Sequence, residues 1–259
     1  MKLSASNIAW SFAQDAEMLA LLQSMGFHGL EIAPTRVFPE APYDKLGQAR
    51  DYASALRKQY GLAVSSMQSI LFGVTQNLFA SSQDRDFLLA YLRKAIDFAE
   101  ALGCPNLVFG CPKNRNTQTS GQYNVAVEFF AELADYAAQR STVVSIEPNP
   151  VIYGTNFLNT TQEAFNFVRD ISHSALKINI DCGTMIHNSE PTSLLEVNAA
   201  LIHHIHISEP NLVPIQHREL HKALFSLPFS GYVSLEMKQP DNLETVKEAL
   251  WYIQSLAAN

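Results

Sequence analysis

Short apolar runs in this chain alternate with longer stretches whose apolar residues recur at helical spacing, and the alternation repeats eight times. The short runs predict strands over residues 3–10, 29–33, 63–69, 106–109, 142–147, 176–181, 202–207 and 232–237. The longer stretches predict helices over 15–25, 43–59, 84–102, 122–139, 161–171, 192–199, 217–225 and 243–257. Punctuation agrees with the periodicity. Thr160 and the Asp241-Asn242 pair stand where helix N-caps belong, and Gly26, Gly61 and Gly103 stand where a left-handed residue closes a helix before the next strand. Eight strand–helix units in strict alternation predict an α/β fold, a closed (β/α)8 TIM barrel. An open doubly wound sheet is the competing arrangement, but no G-x-G-x-x-G follows the first strand.

The 259 residues fit one such barrel without remainder, so a single domain over 1–259 is expected. A hydrophobic fraction of 47% supplies the core, and a formal charge of -7 argues against a broad basic face for nucleic acid. Cys104, Cys111 and Cys182 have no CxxC spacing and are too scattered for a disulfide framework. Asp15 and Glu17 arrive before any stretch apolar enough for a signal peptide, and no run approaches the ~18 apolar residues of a membrane span. These features predict a cytoplasmic protein without membrane partners.

The chemistry is concentrated at strand ends. VVSIE, LKINID, LIHHIH and YVSLE finish in Glu147, Asp181, His206 and Glu236, on strands five to eight. In a parallel barrel the functional face is formed by the carboxyl ends of the strands, and neighbouring strands are only ~4.8 Å apart. Three carboxylates and one imidazole can therefore converge on one divalent ion. That donor set suits Mn2+, Mg2+ or Co2+, with Zn2+ a further candidate. Strand alternation puts His204 and His206 on one face and His203 on the other.

The stretches SIEPN, NIDCG, HIHISE and GYVSLEMK, with SNIAW and GLEIAP in the first two strands, resemble the xylose-isomerase-like sugar phosphate isomerase/epimerase superfamily. That superfamily includes hydroxypyruvate isomerases, ketose 3-epimerases, inosose dehydratases and endonuclease IV. The resemblance implies that Glu147, Asp181, His206 and Glu236 are the metal ligands and that Glu147 and Glu236 are catalytic. Ketose 3-epimerases place a histidine and an arginine where this chain has Thr184 and Leu212, so their sugar-reading pattern is broken. The extra histidines of endonuclease IV are replaced by Gln68 and Cys111, which predicts one metal ion rather than three.

The implied reaction is isomerisation or epimerisation of a small sugar or sugar derivative. One glutamate removes a proton beside a carbonyl, the metal stabilises the enediolate, and the other glutamate returns the proton. A dehydratase (lyase) acting on a polyol or keto acid is the alternative reading, and an abasic-site endonuclease or a non-catalytic sugar-binding barrel are further ones. Substrate-binding candidates are Gln68, Lys113, Arg115, Asn149, His217 and Lys238. Glu31 is a candidate for organising a neighbour by hydrogen bonding, and Trp10 and Phe72 are candidate walls. The expected ligand is a small carbohydrate, with no nucleic acid and with homo-oligomerisation open.

Overall fold

The computed structural model describes residues 1–117 and 119–258. Eight parallel strands close on themselves in chain order: β1 (Lys2–Ser6), β2 (Gly29–Ile32), β3 (Ala63–Met67), β4 (Asn106–Phe109), β5 (Val143–Ile146), β6 (Leu176–Asp181), β7 (Ile202–Ile207) and β8 (Tyr232–Leu235). β8 pairs with β1, with Lys2 opposite Tyr232. The helices are α1 (Asp15–Ser24), α2 (Pro34–Val37), α3 (Leu46–Tyr60), α4 (Ser82–Leu102), α5 (Tyr123–Ala138), α6 (Thr161–Ile171), α7 (Cys182–Asn188), α8 (Ser193–Glu196), α9 (Glu219–Phe225) and α10 (Leu243–Ala257). Among the described residues no helix is long and apolar enough to cross a membrane.

The helix signals read from sequence act as expected. Thr160 forms a capping box with Glu163, the Asn242 side chain accepts the Glu244 N–H, and Gly61 and Gly103 close α3 and α4 at φ 69° and 64°. Several predicted boundaries move. The expected helix over 192–199 shrinks to the single turn of α8, and a helix not foreseen, α7, begins at the residue after Asp181. Strand β1 also ends at Ser6 instead of residue 10, because Ser6 caps a short turn over Asn7–Ala9.

Along each strand one set of alternate residues faces the helices. Phe109, Ile146, Ile180, Ile205 and Leu235 are fully buried there, and each such side chain contributes about 1.5–3 kcal/mol by leaving water. Edge-to-face rings continue the packing outward, with Phe109 and Phe130 at 4.8 Å and Phe130 and Phe167 at 5.5 Å between centroids.

The opposite set fills the barrel lumen, and it is polar instead of the usual aliphatic layers. Ser4 and Ser65 hydroxyls lie 2.6 Å apart, Asn106 donates to Ser66 Oγ at 2.9 Å, and Ser145 donates to Asn106 Oδ1 at 2.5 Å. Two bulges enrich this lumen. Pairing skips Ser65 between β2 and β3, and skips His203 between β6 and β7. The second bulge overturns the simple alternation for β7. His203 was expected on the outer face, yet its Nδ1 lies 3.1 Å from Asn106 Oδ1 on β4, across the barrel, because an unpaired extra residue breaks the two-residue period.

Candidate metal centre

β6 and β7 deliver Asp181 and His206 directly, while Glu147 and Glu236 stand one residue beyond β5 and β8. Both glutamates remain tied to the sheet: the Glu147 N–H donates to the Phe109 carbonyl at 3.1 Å, and the Glu236 N–H to the Ile207 carbonyl at 3.0 Å. One donor atom from each of the four side chains falls within 4.8 Å of the others. His206 Nδ1 is 3.0 Å from Glu147 Oε1 and 3.0 Å from Glu236 Oε2.

Each of the four side chains is held by neighbours. Asn179 donates to Glu147 Oε1 at 2.6 Å and Asn149 to Glu147 Oε2 at 3.2 Å. Gly110 leaves the space that Glu147 needs, since a Cβ there would collide with Glu147 Oε2. Asp181 also caps α7: the Thr184 N–H donates to its Oδ2 at 2.7 Å, the Thr184 hydroxyl lies 2.6 Å from the same oxygen, and Ser208 donates to Oδ1. Behind His206, Nε2 meets Glu31 Oε1 at 3.0 Å, and Glu31 Oε2 in turn faces His204 Nε2 at 3.5 Å. Glu31 is 0% exposed and crosses the lumen from β2 to reach both rings. The Glu31–His206 contact leaves Nδ1 as the nitrogen turned toward the carboxylates, the arrangement in which a carboxylate fixes the tautomer of a metal-binding histidine.

The electrostatics of this cluster favour a cation. Burial pushes the Glu236 carboxyl up to about 7; His206 pulls it back, and repulsion from Glu147 and Asp181 adds smaller upward contributions. Burial, then Glu147, raises Asp181 as well. Burial also opposes a charged His206, but Glu236 and Glu31 overcome it and hold its pKa well above the ordinary value. Glu31 is the reverse case: burial disfavours its charge, and His206 and His204 hold it well below the usual carboxylate range. Three converging carboxylates offset by one imidazolium form a hard, anionic donor set, and these four residues fit a divalent ion.

Metal binding should therefore release protons in a pH-dependent number. Below pH about 7 the ion must displace both the Glu236 proton and the Nδ1 proton of His206, and above it only the latter. Calorimetric titration in buffers of different ionisation enthalpy is expected to count about two protons released near pH 6 and about one near pH 8. A count near zero at both values would contradict this electrostatic account.

Above the cluster lies a cavity of about 560 Å3, within the ~300–1,000 Å3 range of small-molecule sites. Gln68, Lys113, Asn149 and Lys238 line it together with the four clustered side chains. Gln68 Oε1 is buried and has no hydrogen-bond partner, so it is available to a ligand hydroxyl. Arg115 and His217, both expected to bind substrate, are placed elsewhere. Arg115 is 1% exposed and lies behind the wall, donating to the Glu147 carbonyl and to Asn149 Oδ1, both at 2.8 Å. Burial pulls its pKa down to about 10. His217 stacks on Tyr252 of α10 at 3.9 Å. Of the two aromatic candidates, Phe72 lines the cavity and Trp10 is buried with its Nε1 on Asp15. Tyr153, in the loop after β5, also lines the cavity and accepts the Asn211 N–H at 2.7 Å. Sequence reasoning missed it, and its position in the PNPVIY segment just after a ligand strand was the available signal.

A parallel eight-stranded barrel with a carboxylate-rich, single-histidine ligand cluster at its carboxyl face defines a class of metal-site barrels. Within that class the chain belongs to the xylose isomerase-like TIM barrel family, whose description matches residues 19–256. No curated protein matches it. Similar solved structures include a 3-keto-D-glucoside 4-epimerase from E. coli, at 19% identity over 100% of both chains and TM-score 0.77. A D-psicose 3-epimerase from Clostridium cellulolyticum H10 is 16% identical over 99% of this chain and 96% of its own, with TM-score 0.73. An AP endonuclease, family 2, from Brucella melitensis is 21% identical over 95% and 96%, with TM-score 0.72. At such identities the likeness is one of fold.

Proposed function

We propose that the protein is a divalent-metal-dependent isomerase or epimerase of a small sugar or sugar derivative, with Glu147 and Glu236 moving a proton at a carbon beside a carbonyl. One observation carries the reading: two glutamates from well-separated strands, β5 and β8, bring an oxygen to within 3.0 Å of the same imidazole nitrogen on the floor of a substrate-sized cavity. The similar structures named as sugar epimerases support it.

The two glutamates have different surroundings. Asn149 and Asn179 donate to both oxygens of Glu147, which fixes the carboxylate's orientation and suits a base that accepts a carbon-bound proton. Glu236 receives no comparable amide donor among the described residues, and its carboxyl titrates near neutrality. With one oxygen given to the ion, its other oxygen is free to exchange a proton with the substrate. Asp181 and His206 serve as ligands only, since Thr184, Ser208 and Glu31 occupy their remaining atoms. Asn149, through Arg115 behind it, keeps Glu147 in register, and Gln68 takes a substrate hydroxyl. When bound, the ion supplies Lewis-acid stabilisation of negative charge developing on the substrate oxygen. Hard donors favour a single Mn2+, Mg2+ or Co2+, with Zn2+ less suited.

The ligand in this reading is a small carbohydrate and not nucleic acid or a membrane, in line with the charge of -7, and three free thiols suit a cytoplasmic setting. The test is incubation of metal-loaded protein with ketoses and aldoses in deuterated water. Deuterium is expected at a carbon next to the carbonyl, with a new epimer or isomer. Absence of exchange from every sugar, with metal occupancy verified, would defeat the reading, and a dehydrated product would redirect it to a lyase.

A further inference from the structure

We propose that the substrate of this site is anionic, a sugar derivative whose carboxylate or phosphate group is recognised by Lys113 and Lys238. The inference rests on the function proposed above for what happens at the other end of the same molecule.

The first observation concerns which cations are spoken for. Lys2 lies over Tyr232 and Lys45 over Phe38, Lys177 donates to the Ala200 carbonyl, and Lys94, Lys222 and Lys247 pair with carboxylates. Among the described residues, the ammonium groups of Lys113 and Lys238 have no such partner, and both line the cavity. Lys58, on the exposed surface of α3, is the remaining lysine without one. Lys113 and Lys238 are exposed like Lys58, but both line one cavity, where two unpaired cations are positioned to meet an anion.

The second observation is the charge balance inside the cavity. Its acidic side chains are Glu147, Asp181 and Glu236, all metal ligands. A divalent ion offsets two of those three charges, and the two lysines then leave the loaded cavity positive. This occurs in a chain whose formal charge is -7, so the positive field is local to the cavity, where it attracts and orients a small anion.

The third is the character of the walls. Ile8, Leu71, Phe72, Val74 and Leu212 face the cavity and offer no side-chain hydrogen bonds. Thr184 is fully buried, and its hydroxyl is occupied by Asp181 and the Pro148 carbonyl. Ser69, Asn149 and Asn211 join Gln68 and Tyr153 as neutral polar groups of the lining that can meet hydroxyls, and the ammonium groups of Lys113 and Lys238 add charge, the strongest single recognition element there.

Both lysines sit on fixed backbone. Lys113 belongs to the turn Pro112–Asn114, which Asn114 ties to the loop after β3 through the Val74 and Gln76 carbonyls at 3.0 and 2.8 Å. The Lys238 N–H donates to the Leu212 carbonyl at 2.9 Å, two residues beyond the ligand Glu236. β4 and β8 stand on opposite sides of the barrel, so the lysines approach the substrate from opposite sides. A charge adjoining the reacting carbon meets Lys238, and a charge at the far end meets Lys113.

The test uses unreactive probes: calorimetric binding of xylitol, xylonate and xylitol 5-phosphate to the Mn2+-loaded protein and to Lys113→Met, Lys238→Met and the double variant. At least one charged probe is expected to bind about tenfold or more tighter than xylitol. That advantage should collapse in the double variant while xylitol binding stays unchanged. Preference for xylonate lost with Lys238, or for the phosphate lost with Lys113, identifies the group. Equal binding of all three probes overturns the proposal, as does a charged-probe advantage that survives removal of both lysines, because the anion is then bound by the metal. Since binding needs no turnover, lysine-dependent anion preference without deuterium exchange would keep this inference and remove the proposed reaction, and exchange without anion preference would do the opposite.

Discussion

Glu236→Gln is expected to lower proton exchange by about 10^3- to 10^4-fold, the range associated with loss of a positioned acid or base. Glutamine keeps the shape and one coordinating oxygen but cannot carry the proton. A second readout separates this from simple damage to the fold. The Glu236 carboxyl is raised to about 7 by burial against Glu147 and Asp181, above its ordinary value near 4.5. Its favourable contribution is therefore complete below about pH 4.5 and lost as pH rises through about 7, where the buried charge must form. The metal-free variant, which never forms that charge, should be more stable than the parent at pH 8 by about 1–3 kcal/mol, and nearly equal to it at pH 4.5. Thermal melts of the metal-free proteins at both pH values check this, and a variant less stable than the parent at pH 8 would show that Glu236 is a structural and not a functional group.

Glu31→Gln is expected to weaken metal binding by about 10- to 100-fold at pH 8, although Glu31 is not itself in the four-ligand cluster. Glu31 lies 3.0 Å from His206 Nε2 with no access to solvent, and the charge it places behind the ring makes Nδ1 a better donor. Glutamine can still accept the Nε2 hydrogen, so the ring orientation survives while the charge is lost. Glu31→Leu removes both and should also cost the metal-free protein about 3 kcal/mol, the usual result of leaving one partner of a buried pair behind. Metal titration followed by calorimetry and by the Co2+ electronic spectrum distinguishes the two. Wild-type affinity in Glu31→Gln would mean that the carboxylate only fills space.

The strands and the four side chains that converge at their ends were legible because the signal is local. In each of the last four strands a two-residue alternation ends in a residue that has no place in an apolar run, as in VVSIE and YVSLE. What was not legible depends on partners distant in sequence. His203 turns inward because β7 pairs with β6 through a skipped residue, and no single-strand pattern encodes that. Arg115 reads as a solvent-facing loop cation in GCPKNR, yet the loop folds under Glu147 and Asn149 and uses it as an internal tie. His217 reads as a helix-opening residue, and its stacking on Tyr252 follows from how α9 and α10 meet. Helix α7 was missed for a different reason: CGTMIHN has a glycine and little length, and it starts because Asp181 is both a ligand-type residue and an N-cap.

The lumen network sets terms for anyone wishing to redesign this enzyme. Ser4, Ser65, Ser66, Asn106 and Ser145 come from four strands and satisfy one another's hydrogen bonds, so changing one orphans its partner and the sequence cannot drift there one position at a time. The loops carrying Phe72, Lys113 and Leu212 stand above that network and share none of those bonds. Selection for a new substrate should therefore accept substitutions along the rim in many combinations, while libraries that randomise the lumen should yield mostly insoluble protein.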